Sequence, residues 1–300
     1  MKTLIILLGA TGVGKTALSL PLAEALDSPI ISADSRQIYR EIPIGTAAPT
    51  PDEQARVKHY FVGNKSVLDN YSAGSYEVDT LALINTLFAT HDVLLLTGGS
   101  TLYLDAISRG FDELPHISQQ TRDEVATLLQ TQGLTALQDE LHRVDPAYYQ
   151  QVDLQNPQRV AHAIEVYRES GQPYSAFRKG FADASSKRPF RIVKVGLYRD
   201  RIELYNRINC RVDAMLEQGL LQEALNVYPW RQQNSLNTVG YKELFRYFDG
   251  ELTLQQAVDL IKQDSRHYAK RQTTWFRRDN DIHWLPANDA KIKDIEDIIK

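Results

Sequence analysis

Short, unbroken apolar runs punctuate the chain. Leu4–Leu8, Ile30–Ala33, Val93–Thr97 and Ile192–Leu197 are rich in Ile, Leu and Val, and Ile282–Leu285 adds a fifth. They are continuous rather than alternating, the pattern of strands buried on both faces. Between and after them lie helical segments over Lys15–Leu26, Tyr76–Thr90, Leu102–Ser108, Ile202–Tyr228 and Leu254–Arg278. Strands alternating with helices predict an α/β fold with a parallel sheet flanked by helices on both faces. Pro21 falls inside the first predicted helix, where it should kink the axis or cost one backbone bond.

One block departs from this alternation. Between Leu114-Pro115 and Ser185-Ser186-Lys187 there is no strand-like run, only helical patterns at Gln119–Gln130, Leu134–Arg143 and Pro157–Ser170. The charge changes with it: Pro115–Ser175 holds eight acidic residues against four arginines, whereas Lys187–Arg211 holds eight basic residues against two acidic. The expected organisation is a core in two parts, residues 1–114 and 188–300, around an all-helical insertion domain at 115–187. Three hundred residues, 43% of them apolar, can build both cores. With 34 basic and 38 acidic side chains, the net charge of −4 confines any nucleic-acid surface to a local basic patch. The lone Cys210 rules out an internal disulfide or a Cys-rich zinc site, fits a reducing compartment, and is expected as a small buried apolar side chain. Leu4–Leu8 is too short for a signal peptide, and no run reaches the ~18 consecutive apolar residues of a membrane span, so a cytoplasmic protein is expected.

Chemistry enters at the end of the first strand. Gly9-Ala10-Thr11-Gly12-Val13-Gly14-Lys15-Thr16 matches G-x-x-x-x-G-K-[ST] in its required context, after a buried strand and before a helix. Its glycines let backbone N–H groups converge on phosphate oxygens, and the helix start adds its positive dipole end. Lys15 supplies a mobile cation, and the Thr16 hydroxyl can hold Mg²⁺. What the cradle holds is a separate matter. An NTPase normally places an acid at the carboxyl end of another strand, but Val93–Thr97 runs into Gly98-Gly99-Ser100, and Asp92 lies at its wrong end. The acid at a strand's carboxyl end is Asp34, where ligands bind in an open parallel sheet. That carboxylate suits a magnesium partner, a general base, or a cap for a helix beginning near Arg36. Ser100 offers either a hydroxyl at a reacting centre or an N-cap for the next helix. Arg207 and Arg211 share a helix face that reads by default as a solvated edge. Arg266–Arg278 carries five basic residues and no acid, interleaved with Tyr268, Trp275 and Phe276, which suits RNA contact or a solvated face equally. A small-molecule P-loop kinase and an RNA-binding P-loop protein without chemistry both remain open on these residues alone.

A longer set of residues resembles one family. Gly9–Thr16, Asp34-Ser35-Arg36-Gln37-Ile38-Tyr39-Arg40, Ile44-Gly45-Thr46-Ala47, Tyr71-Ser72-Ala73, Gly98-Gly99-Ser100-Thr101-Leu102-Tyr103 and Asn156-Pro157-Gln158-Arg159 are similar to bacterial tRNA dimethylallyltransferases, also called tRNA isopentenyltransferases. Val239-Gly240-Tyr241-Lys242-Glu243 and Lys270-Arg271-Gln272-Thr273-Thr274-Trp275-Phe276-Arg277 continue the resemblance, which runs in order over nearly the whole chain. It implies a Mg²⁺-dependent, monomeric enzyme that transfers a dimethylallyl group from dimethylallyl diphosphate to N6 of adenosine 37 in tRNAs reading U-initial codons. An adenylate isopentenyltransferase, using free AMP, ADP or ATP, is the neighbouring alternative.

The resemblance also implies roles. Asp34 would be the base, with Ser100 beside it; Gly9 to Thr16 and Arg211 would hold the diphosphate, Arg201 and Arg207 less directly. The anticodon stem-loop would meet Asp34, Ser35, Arg36, Gln37, Ser100 and Arg122. It would further meet Gln158, Arg159, Val160, Ala161 and His162; Asn237, Thr238, Val239, Gly240, Tyr241 and Lys242; and Lys270 through Arg277. This sequence departs from the family where Ser100 replaces Thr, His162 replaces Arg, Asn237 replaces Arg or Gln, and Ala48 replaces Lys. The family's paired histidines followed by an acid are missing around Lys58-His59-Tyr60-Phe61.

Overall fold

The computed structural model of the chain describes residues 1–110, 114–115, 117–178 and 188–300. Six strands form one sheet in the order β3-β2-β4-β1-β5-β6, every neighbouring pair parallel. They are β1 (Thr3–Gly9), β2 (Ile30–Ala33), β3 (His59–Tyr60), β4 (Val93–Gly98), β5 (Arg191–Tyr198) and β6 (Ile282–Pro286). The helices up to β4 are α1 (Lys15–Ala25), α2 (Pro43–Thr46), α3 (Pro51–Arg56) and α4 (Ala73–Leu87). After β4 come α5 (Thr101–Arg109), α6 (Gln119–Val144), α7 (Pro146–Tyr149), α8 (Pro157–Ser170) and α9 (Tyr174–Phe177). The last set is α10 (Arg201–Glu217), α11 (Leu220–Val227), α12 (Tyr241–Phe248), α13 (Leu254–Phe276) and α14 (Ile292–Ile299).

β1 is buried at every position, and its two faces feed two cores. Ile5 and Leu7 pack with Leu20 and Leu22 of α1, Leu204 and Ile208 of α10, and Ile295 of α14. Leu4, Ile6 and Leu8 pack with Tyr76 and Ile84 of α4, Tyr103 and Ile107 of α5, and Phe276 of α13. Period-2 side chains on a strand covered on both sides explain its unbroken apolar run; each such side chain contributes about 1.5–3 kcal/mol.

The chain divides into two compact units, Met1–Ser108 with Arg188–Lys300, and Arg109–Lys187. The second has its own core, built from Val125, Leu137 and Leu141 of α6, Tyr148 of α7, and Val160 and Ile164 of α8. The domain border expected at 187 lies outside the described residues.

Several local expectations are corrected. The single helix expected over 202–228 is two, α10 and α11, because Gly219 between them adopts a left-handed backbone at φ 102°. The expectation at Pro21 is not among them: α1 continues through Pro21 to Ala25, and the missing N–H costs it one backbone bond. Cys210 is exposed rather than buried. The apolar stripe of α10 follows Leu204, Ile208, Val212 and Met215, and residue 210 falls off it. Among the described residues, no helix is long and apolar enough to cross a membrane.

Candidate active site

The glycine-rich loop joins β1 to α1, and that helix begins without a side-chain cap. Gly14 holds the N-cap position at φ 113°, and no acid lies in the first turn. The start of α1 therefore presents unsatisfied N–H groups and a positive dipole end. Around it stand cations. Lys15 is half-buried, its Nζ donating to the carbonyls of Gly9 at 3.0 Å and Ala10 at 3.1 Å. Burial lowers its pKa to about 8; the Asp34 carboxylate works against that shift and Arg211 with it. Arg211 reaches in from α10, its Nη1 donating to the Thr11 hydroxyl at 3.4 Å. Burial lowers its pKa too, against the nearby Asp34 charge.

Two more arginines hold the loop from outside. Arg207 Nε donates to Gly12 O at 2.9 Å, and Arg199 Nε to Val13 O at 2.7 Å. Arg199 is further tied to Glu203 and Asn288. It was not among the expected residues; the basic run Lys187–Arg211 was its only signal. Arg201 instead lies over the Tyr205 ring at 5.2 Å. The hydroxyl-bearing Thr16 is exposed.

The second half of the site is built at the ends of β2 and β4. Ala33 pairs with Gly98, and a Cβ at residue 98 would lie 2.2 Å from Ala33 O, so only glycine permits this approach. Ser100 N then donates to Ala33 O at 3.2 Å, which brings Ser100 against the Asp34 turn. The Ser100 hydroxyl accepts from Ser35 N at 2.8 Å and donates to Ser35 Oγ at 3.1 Å. Asp34 Oδ1 accepts from Arg36 N at 2.9 Å and Gln37 N at 3.3 Å, leaving Oδ2 without a hydrogen bond among the described residues. One carboxylate thus caps its own turn with a single oxygen. Because β4 lies between β1 and β2, the cradle and Asp34 sit two strand spacings apart, roughly 10 Å. Three phenols surround the carboxylate electrostatically: Tyr76, Tyr103 and Tyr268 are all raised by burial first, with the Asp34 charge adding, Tyr268 to about 12.

The remaining expected contacts fall into two groups. Exposed side chains are Arg122, Gln158 and Arg159 in the helical unit, and Asn237, Lys242, Lys270, Arg271, Thr274 and Arg277 in the core. Lys242 pairs with Glu243 at 3.3 Å and Asp264 at 3.2 Å. Trp275 is half-buried, donating to Asp105 at 2.9 Å with Arg278 over its ring at 5.3 Å; Thr273, Thr238 and Val239 are also half-buried. The inward-facing set is structural in its contacts. Val160 lies in the helical unit's core, and Phe276 in the sheet's. Tyr241 donates its buried hydroxyl to Glu223 at 2.5 Å, and Gly240 N donates to Glu243 at 2.7 Å. Arg36 donates to the carbonyls of Asn234 and Ser235, and Gln37 to that of Ala47, so both fasten neighbouring loops. Ala161 and His162 are half-buried on α8, His162 lying 3.5 Å from Glu165.

A loop of this form, opening on an uncapped helix at the carboxyl edge of a parallel sheet, defines a P-loop α/β protein. Residues 37–279 match the family model for IPP transferase. The chain is 54% identical to tRNA dimethylallyltransferase 1 of Phocaeicola vulgatus, over 94% of this chain and 93% of that protein. It is 52% identical to tRNA dimethylallyltransferase 2 of Parabacteroides distasonis, over 97% and 96%. Among solved structures, the tRNA isopentenylpyrophosphate transferase of Bacillus halodurans is 34% identical with a TM-score of 0.73, covering 100% of this chain and 96% of that one. A eukaryotic dimethylallyltransferase acting on tRNA gives a TM-score of 0.80 at 25% identity, over 96% of this chain and 75% of that one. The chain belongs to the IPP transferase family, whose members include these prenyltransferases.

Proposed function

We propose that the chain transfers a dimethylallyl group from dimethylallyl diphosphate to N6 of adenosine 37 in tRNAs reading U-initial codons. The observation that carries this reading is the pairing of an anion cradle with a carboxylate, Asp34, whose Oδ2 has no hydrogen bond among the described residues. An exocyclic adenine amine is a weak nucleophile because its lone pair is delocalised into the ring. In this reading N6 attacks C1 of the allyl group while Asp34 takes the N6 proton. The C1–O bond breaks, and its electron pair leaves with the diphosphate. The amides at the start of α1, Lys15 and Arg211 stabilise that developing charge. Ser100, hydrogen-bonded to Ser35, keeps the Asp34 turn in register with the β4 end.

The exposed Thr16 hydroxyl suits Mg²⁺, a hard cation usually held by few protein oxygens together with phosphate. Thr16 would hold the ion together with the diphosphate, and the chemistry it would supply there is neutralisation of the leaving group's charge.

The acceptor base has to leave the anticodon-loop stack to reach Asp34. Arg271 beside Tyr268, and Arg278 beside Trp275, offer the cation-and-ring surface that suits unstacked RNA. The test is incubation with labelled dimethylallyl diphosphate and Mg²⁺, offering unmodified tRNA or AMP as acceptor. Label is expected in tRNA alone; label in AMP alone would assign the adenylate reaction instead.

A further inference from the structure

α13 runs through a basic, largely exposed stretch, yet one polar side chain in it turns inward. Gln272 is 3% exposed, while its neighbours Lys270, Arg271 and Thr274 face solvent. Its Oε1 accepts from the Thr11 amide of the P-loop at 2.9 Å, and its Nε2 donates to the Gly99 carbonyl at 2.7 Å. One planar carboxamide thereby joins the loop after β1 to the turn after β4. Only a group that donates and accepts at the same head can make both bonds; glutamate lacks the donor, and leucine lacks both. Gly99 fits the arrangement, since a Cβ there would lie 2.5 Å from Nε2.

We propose that Gln272 is a positioning residue that fixes the diphosphate cradle relative to Asp34 and Ser100. This rests on the function proposed above. The Thr11 N–H is held by Gln272 and its hydroxyl by Arg211, so the first half of the loop is secured by the protein itself. The next two residues are braced from outside, the Gly12 carbonyl by Arg207 and the Val13 carbonyl by Arg199, with the start of α1 left for the anion. Removing the carboxamide should leave anion binding in place and spoil the alignment of donor and acceptor, a displacement of about 1 Å being worth roughly 10²-fold in rate.

The test uses Gln272→Leu and Gly99→Ala, which break the same clamp from opposite sides. For both, kcat for prenyl transfer to tRNA should fall about 10²-fold, with the KM for tRNA within about 2-fold of wild type. Calorimetric affinity for inorganic pyrophosphate should stay within about 3-fold, which a merely unfolded or loosened variant would not show. Gln272→Glu, keeping the acceptor alone, should fall between. An unchanged kcat overturns the proposal, as does a loss confined to the KM for tRNA, which would make Gln272 an RNA contact. Pyrophosphate affinity falling in step with kcat also overturns it. A wild-type protein that transfers no prenyl group to tRNA instead refutes the function itself, and so is told apart from failure of the clamp.

Discussion

Lys15 is the group through which pH should reach donor binding. Burial lowers its ammonium from 10.5 to about 8 in the ligand-free protein. A diphosphate in the cradle supplies the compensating charge, so the bound form keeps its proton well above that value. The donor's own last ionisation lies near about pH 6 and is complete over the range that matters. Binding therefore takes up a proton above about pH 8, and affinity is full near neutrality and lost as pH rises through 8. The protonated fraction of free Lys15 falls from about nine-tenths at about pH 7 to about 3% at about pH 9.5, a loss of about 30-fold or about 2 kcal/mol. Titration calorimetry with dimethylallyl diphosphate, without tRNA, across that range measures it directly. Lys15→Arg stays charged throughout and should flatten the profile. A flat wild-type profile, or an equal slope in the arginine variant, would refute the assignment. Since the folded-state value lies below the unfolded one, the unfolded chain binds more protons between about 8 and 10.5, and the ligand-free fold gains stability as pH rises through that window.

Three further outcomes are expected. Asp34→Asn keeps the turn-capping oxygen and removes the base; kcat should drop by about 10²-fold or more while filter-binding affinity for tRNA holds, and unchanged turnover would exclude it from proton transfer. Arg271→Ala should weaken tRNA binding and lower the log–log salt slope by about 1, with donor affinity unaltered; an unchanged slope puts that helix away from phosphate. Gly98→Ala forces a methyl to within 2.2 Å of the Ala33 carbonyl and should cost about 3 kcal/mol in a denaturant melt, and a wild-type midpoint would refute that close approach.

Much of the fold could be read from apolar rhythm because β1 and β2 are buried throughout and β4 and β5 over their central residues, which leaves largely apolar runs. β3, at two residues, is too short to carry any period. The break at Gly219 was hidden because α10 and α11 share a helical pattern, and glycine alone does not announce a left-handed backbone. For the site, the P-loop was legible because strand, loop and helix are contiguous. That Ser100 meets Ser35, next to Asp34, follows only from the strand order, which sets β2 beside β4. Gln272 lies 261 residues from Thr11, and within a basic motif its burial could not be foreseen. The exposure of Cys210 follows from its helical register, off the Leu204, Ile208, Val212 and Met215 stripe, which residue type alone does not carry.

The central claim is geometric, that one edge of the sheet grips the donor's diphosphate and offers its allyl carbon to an adenine amine at Asp34. A crystal structure with dimethylallyl thiodiphosphate, Mg²⁺ and an anticodon stem-loop tests this most directly. The account predicts the thiodiphosphate on the amides of Gly12 to Thr16, with Lys15 and Arg211 turned onto it, and the adenine N6 within hydrogen-bond reach of Asp34 Oδ2. A diphosphate seated elsewhere, or an Asp34 pointing away from the extruded base, would contradict it.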